Sequence, residues 1–390
     1  MSDISGRDVS LKSLNKIWMR RLHVVQEMEQ WIAENLKDRG MYDEYDRSED
    51  VKLAKAKEYL YGYLFWGRRS FPGSSDPLFF QDDGTIQDES LVTQMNHGEY
   101  NDFVHLLRNK INGISTIDAG SSDVSWDDVK DHVIGNSSGI LKTLKDNLLE
   151  KGESNVDDHI IGLVLRYRCV GGFESNLHGS VPGNWKNVLP GFTECFASPL
   201  NHKFDSFYSL FNEDSIFGGH GDFFKMVDDN GGVLPEGKYE INPPFHLALL
   251  DQVATIVKNS FEHSMDSNLQ VVMVVPDWSD AVFVTLLNYV CEILQSRGIV
   301  YTKRYHYEHS NGKPLSTRTR FYVLSGRRVS HSDVKSLFSS CRRMIYGSVS
   351  RTHLSCSSAQ AKFDIATEKF SDAVIKFLEH GSYKSKNGHA

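Results

Sequence analysis

The loop Asn242-Pro243-Pro244-Phe245 holds two hydrogen-bond acceptors, a stiff backbone and a flat apolar ring within four residues. That set suits an exocyclic amino group on a nucleobase such as adenine or cytosine. The lone pair of such a nitrogen is delocalised into its ring, which makes it a poor nucleophile. Acceptors on both N–H bonds draw the nitrogen toward tetrahedral geometry and aim its lone pair at a methyl donor. The side-chain oxygen of Asn242 can be one acceptor and the Pro243 carbonyl the other. Proline fixes φ and keeps the preceding residue extended, so the Pro-Pro pair holds that carbonyl in one direction. Phe245 offers a face for the base, as pockets for extruded or single-stranded bases do. Asn is neutral, so no general base is implied and the proton leaves after transfer. The plainer alternative is a rigid loop leading into a helix, with Asn242 in an Asx-turn.

The elements around this loop must position it. Lys238 to Ile241 reads as a strand, and the apolar run from His246 to Val257 as a helix. Further strands are expected at 193–197, 271–275, 298–307 and 320–324, with helices at 247–261 and 282–295. Alternation of this kind implies a mostly parallel sheet with helices on both faces, the last two strands forming an antiparallel edge. The N-terminal part differs. Leu11, Leu14, Trp18, Leu22, Val25, Met28, Ile32 and Leu36 recur at three- and four-residue steps, one apolar face of a long helix. More helices are expected at 50–65, 99–111, 126–150 and 156–169. The tail, 332–380, reads as two helices around a Ser-rich break. The domains are therefore drawn as 1–155 helical, 156–328 core and 329–390 basic C-terminal helices.

At 390 residues the chain can bury a full core. The longest apolar run, Val271 to Pro276, is far short of the ~20 residues of a membrane helix, so no membrane association is expected. The N-terminus lacks the form of a signal peptide, which points to an intracellular protein. Five scattered cysteines form no Cys-x-x-Cys, so neither a disulfide framework nor a cysteine metal site is supported, and no metal is expected. Gly135-Asn136-Ser137-Ser138-Gly139 matches a nucleophile-elbow pattern, but the acidic, helix-patterned residues before it make a helix N-cap turn the better reading. The net charge of −8 divides unevenly, +11 over residues 297–390 and −19 over the rest. One polyanion-facing surface is implied, not a uniformly cationic protein.

Several short blocks occur in one order: Leu165-Arg166-Tyr167-Arg168-Cys169, Gly179-Ser180-Val181-Pro182, Glu194 to Asn201, Phe217-Gly218-Gly219-His220-Gly221, Asn242 to Phe245 and Val275-Pro276-Asp277-Trp278. Together they resemble the catalytic region of the phosphorylated-CTD-interacting-factor family, the cap-specific adenosine N6-methyltransferases. The similarity covers about 160–325. It implies a Rossmann-type methyltransferase core beside an N-terminal helical domain. It also implies S-adenosylmethionine as methyl donor and capped mRNA as partner, with transfer to N6 of the first transcribed adenosine or 2′-O-methyladenosine. Nuclear localisation follows as an expectation.

By position, the resemblance assigns Glu194, Phe196, Ala197, Ser198, Pro199, Asn201, Phe217 and Gly218 to the cofactor, and Asn242, Pro243, Pro244 and Phe245 to the target adenine. Glu194 to Asn201 contains no glycine, unlike common methyltransferase loops. No Trp sits in a WW-like arrangement, so recruitment to a polymerase tail through such a module is not expected. Candidate RNA contacts are Lys303, Arg304, Lys313, Arg318 and Arg320, with Arg166 and Arg168 nearer the pocket. Two other readings stay open, a DNA adenine N6-methyltransferase and a non-catalytic RNA-binding relative.

Overall fold

The computed structural model describes residues 10–35, 53, 57, 60, 105, 123–129, 137–171, 179–309 and 314–346. Among them the chain divides into two compact units. The first comprises the described residues up to 171 together with 210–217; the second comprises 179–209, 218–309 and 314–346.

The first unit is helical. Its elements are α1 (Leu11–Asn35), the single turn α2 (Trp126–Val129), α3 (Ser137–Glu150) and α4 (Val156–Cys169), with a 3-10 turn at Asn212–Phe217. The expected apolar face of α1 is buried through Trp18, Leu22, Val25 and Met28. It lies against α4, which is buried along nearly its whole length. Gly162 makes this approach possible, because a Cβ there would meet Asn15 Oδ1 at 2.6 Å. The sequence boundary at 155/156 therefore moves. α4 was expected to open the core, yet its apolar surface is satisfied by α1 and it belongs to the helical unit. The helices expected at 50–65 and 99–111 lie almost wholly outside the described residues, as does the second C-terminal helix.

The second unit is an α/β sandwich of the Rossmann type. Its strands are β1 (Gly179–Ser180), β2 (Thr193–Ala197), β3 (Ser206–Ser209), β4 (Lys238–Ile241), β5 (Gln270–Pro276), β6 (Gly298–His309) and β7 (Pro314–Ser325), in the sheet order β1-β6-β7-β5-β4-β2-β3. Strands β3, β2, β4 and β5 are mutually parallel. β7 runs antiparallel between β5 and β6. The last two strands thus form the expected antiparallel end of the sheet, β7 beside β5 and β6 outside it, with the two-residue β1 added beyond β6.

Every residue of β5 is buried, as a strand covered on both faces must be. Val271, Met273 and Val275 face α6 (Phe223–Asp229), α7 (Leu247–His263) and α8 (Val282–Leu294). Val272 and Val274 face α5 (Trp185–Val188) and α9 (His331–Tyr346). α9 therefore covers the sheet through Val334, Leu337, Phe338, Cys341 and Ile345 and is no separate C-terminal unit. Among the described residues no helix is long and apolar enough to cross a membrane.

Candidate active site

Open parallel sheets bind ligands beyond the carboxyl ends of their strands, and the Asn242 loop stands at such an end. β4 stops at Ile241 because Pro243 and Pro244 offer no N–H to a ladder. The chain turns tightly, with His246 N–H donating to the Pro244 carbonyl at 2.8 Å, and α7 then starts at Leu247. Pro243 is buried, while Asn242, Pro244 and Phe245 are half-buried. Phe245 leans on the apolar cluster of the α5/α9 face, which fixes its ring. All four residues expected to hold a base therefore sit together on one rigid strand-to-helix connection.

The residues expected at the cofactor divide into two groups. At the end of β2, Phe196 is half-buried against Phe223 and Phe224, and Ala197 is half-buried beside it. Gly218 has φ +98° and nothing within 4 Å of where a Cβ would stand, so an open space adjoins backbone that only glycine adopts without strain. Those positions can accept a ligand. Ser198, Pro199, Asn201 and Glu194 are buried, and their polar groups serve the fold. Asn201 Oδ1 accepts from Ser198 N–H at 2.9 Å and from Ser198 Oγ–H at 2.8 Å, closing the turn after β2. Glu194 Oε2 accepts from the N–H groups of Lys203 and Phe204, at 2.7 and 3.2 Å. Glu194 and Asn201 thus shape the loop from beneath and do not line an open surface. Phe217, half-buried, ends the 3-10 turn of the first unit.

Glu240 is a feature that sequence reasoning missed. It is fully buried in β4, two residues before Asn242, and neither carboxylate oxygen has a hydrogen-bond partner. It stands in register with Glu194 on the adjacent strand. Burial pushes the Glu194 carboxyl up to about 7, against the two backbone N–H bonds that favour its charged form. Burial, and then the neighbouring Glu194, raise Glu240 well above the usual carboxylate range. The pair holds a proton at neutral pH. A Glu between apolar neighbours in a short strand was the available sequence signal, but its partner was not visible.

The expected RNA contacts fare differently from one another. Arg166 is a correction. It is 4% exposed and pairs with buried Asp214 at 3.0 Å, and Tyr167 Oη–H donates to the other Asp214 oxygen at 2.5 Å. Phe211 packs edge-on to Tyr167 and to Trp18 in the same cluster. Arg166 therefore binds together the first unit. Arg168 is half-buried on α4.

Arg318 and Arg320 both engage Asp277, just past the end of β5; the Arg320 Nε contact measures 2.5 Å. Arg320 is the more enclosed, whereas Arg318 remains 43% exposed. The β6 backbone sets Lys303 opposite Thr319 and Arg304 opposite Arg318; the side chains of Lys303 and Arg304, and all of Lys313, lie outside the described residues.

Residues 141–309 match the family described as the phosphorylated CTD interacting factor 1 WW domain. Two curated relatives, both called mRNA (2'-O-methyladenosine-N(6)-)-methyltransferase, from Mus musculus and Homo sapiens, are each 32% identical over 130 residues. The match spans 30% of this chain and only 17% of either relative's length. Among solved structures, a type I restriction-modification system methyltransferase subunit from Streptococcus thermophilus aligns over 82% of this chain and 86% of its own. At 12% identity and a TM-score of 0.23 that alignment carries no weight.

Proposed function

We propose that this chain, whose residues 141–309 match the family described as the phosphorylated CTD interacting factor 1 WW domain, transfers a methyl group from S-adenosylmethionine to N6 of an adenosine, or 2′-O-methyladenosine, next to the cap of mRNA. The observation that carries this reading is the Asn242-Pro243-Pro244-Phe245 connection at the carboxyl end of β4, rigid on both sides and partly open. The names borne by the two relatives support the choice of RNA and of the amino nitrogen.

The donor's sulfonium makes its methyl carbon electrophilic. Residues of the second unit that would hold it are Phe196 and Ala197, at the end of β2, and Gly218, beside which there is space. Asn242 and the Pro243 carbonyl accept the two amino hydrogens and orient the lone pair, while Phe245 fixes the plane of the base. Two such acceptors matter most once the nitrogen begins to carry positive charge, so they favour the transition state over bound substrate. After transfer the nitrogen sheds one proton to solvent. Neutral Asn242 need not take it up.

Incubation with S-adenosylmethionine and capped RNAs beginning with A, G or C, followed by nucleoside mass spectrometry, tests the proposal. N6-methylated adenosine should form only in the A-initiated RNA. Equal methylation of uncapped RNA or of a DNA oligonucleotide would remove the cap from the account, and no product at all would remove the enzyme.

A further inference from the structure

Helix α9 is basic at its carboxyl end, and the fold brings that end to the face of the sheet where Phe245 packs. α9 starts soon after Ser325, which pairs with Gln270 at the amino end of β5, and runs toward the carboxyl ends of the parallel strands. Partway along, Tyr301 Oη–H donates to the Phe338 carbonyl at 3.3 Å. Tyr301 pairs with Phe321, and Phe321 with Val274. Arg342 is one turn further, about 5.4 Å, so the last turn of α9 is level with the end of β5. β4 pairs Ile241 with Met273, so the Asn242 loop leaves its strand at the same level. Phe245 and Met344 both pack against the cluster that α9 covers. α9 lies over β6 and β7, and β7 is two strands from β4, about 10 Å at the usual strand spacing.

The charges at this end of the sheet sort by face. Along β7, Phe321 and Val323 face α9, whereas Tyr322 and Leu324 face α7 and α8. By the same alternation Arg318 and Arg320, with the Asp277 they engage, belong to the α7/α8 side. Asp280 precedes α8, and Asp251 of α7 accepts from Phe283 N–H, again on that side. On the α9 side, the Lys186–Asp205 pair stands at the amino end, ahead of β3, and Glu194 and Glu240 are buried within the strands. Asp333, the acidic residue of α9, is in its first turn and accepts from Ser330 Oγ–H at 2.6 Å. Arg342 is half-buried and Arg343 exposed in the last turn. Among the described residues of the second unit, the carboxyl end of the α9 face therefore bears two guanidiniums and no exposed carboxylate.

We propose that Arg342 and Arg343 hold phosphates of the RNA strand whose target base rests on Phe245, so that the end of α9 fixes the path of that strand across the sheet. The proposal rests on the reading of the site as an RNA methyltransferase. A guanidinium meets phosphate oxygens through two parallel hydrogen bonds, which suits strand placement. Both arginines position substrate and take no part in bond making. The phosphates belong either to the triphosphate bridge of the cap or to the linkages that follow it, and experiment separates these two sources.

The salt dependence of binding is the test, because it counts phosphate contacts. A fluorescein-labelled capped hexanucleotide beginning with adenosine is titrated with the full chain at several salt concentrations and followed by anisotropy. In the double variant Arg342→Gln/Arg343→Gln the slope of log affinity against log salt should shrink by about 1.4, from two contacts at ~0.7 each on a single strand. Affinity at about 150 mM salt should fall about tenfold. Arg343→Gln alone should give roughly half the change in slope. Arg327→Gln, an exposed arginine before the amino end of α9, should alter neither quantity, which separates a local contact from net charge. A purely structural role would lower Tm and leave the slope as it was. Repeating the titration with a capped dinucleotide locates the phosphates. A slope change kept there places them in the cap bridge, and one lost there places them in the following linkages; either supports the contact. An unchanged slope in the folded double variant overturns it, as does an equal change in Arg327→Gln. If the two arginines set the slope yet wild type yields no methylated product, the phosphate contacts stand and the methyltransferase reading falls.

Discussion

Replacing Glu240 by Gln should make the protein more stable at pH 8 and flatten its dependence on pH. Glu194 and Glu240 are register partners on adjacent parallel strands, which lie about 4.8 Å apart. Two full charges at ~5 Å repel by roughly 3 kcal/mol at an effective dielectric constant of about 20. The fold avoids this by keeping a proton on the pair. Glu194 is raised from 4.5 to about 7. A group raised on folding gives its full stabilisation below pH 4.5, and that stabilisation is lost as pH climbs through about 7.

At about 1.4 kcal/mol per pH unit, the loss amounts to roughly 3 kcal/mol between pH 5 and pH 8. For a unit of this size that corresponds to a drop in Tm of about 6–12 °C. Glu240 is raised further, by burial and then by Glu194. Glu240→Gln removes that group's share of the pH dependence and lets the new amide donate to Glu194, so the drop should shrink to the part that burial imposes on Glu194 itself. Thermal unfolding followed by circular dichroism at pH 5, 6, 7 and 8 measures both curves. Parallel curves, or a variant less stable than wild type at pH 8, would refute the shared proton.

Two other perturbations probe the structure away from this pair. Asp214→Ala leaves the Arg166 guanidinium buried without its counter-charge and should cost the helical unit about 3–5 kcal/mol, read from denaturant unfolding; a loss under about 1 kcal/mol would contradict the burial seen here. Gly218→Val forces a branched side chain to φ +98° and into the open space beside it. Calorimetry should show weaker binding of S-adenosylhomocysteine, and unaltered affinity would exclude Gly218 from the donor site.

How much of this is legible in the sequence depends on the range of the interactions. The connection from β4 through Asn242 to α7 is local: a short strand, two prolines that end it and an apolar helix, all readable from neighbouring residues. The same holds for α1, α4, α8 and β5. Strand β3 is four residues long, with only Phe207 and Tyr208 between serines, too short for a pattern to show. The placement of β7 inside the sheet depends on hydrogen bonds to β5 across a long hairpin, which no local signal encodes.

The site residues divide in the same way. An arginine near a helix end can face RNA or a buried carboxylate with equal chemistry. Only the arrival of Asp214, far along the chain, makes Arg166 structural. Glu194 has the residue type expected of a ligand group, yet the loop at Lys203 and Phe204 folds back to occupy it. Its pairing with Glu240 appears only when β2 and β4 are laid side by side.

The central claim is that Asn242 and its neighbouring carbonyl activate an amino nitrogen, and the Asn242→Ala variant tests it most directly. Single-turnover methyl transfer to an A-initiated capped RNA, with donor and RNA saturating, should fall by at least about 10²–10³-fold, while circular dichroism and Tm stay those of wild type. A folded variant that transfers methyl within a few-fold of the wild-type rate would contradict the account.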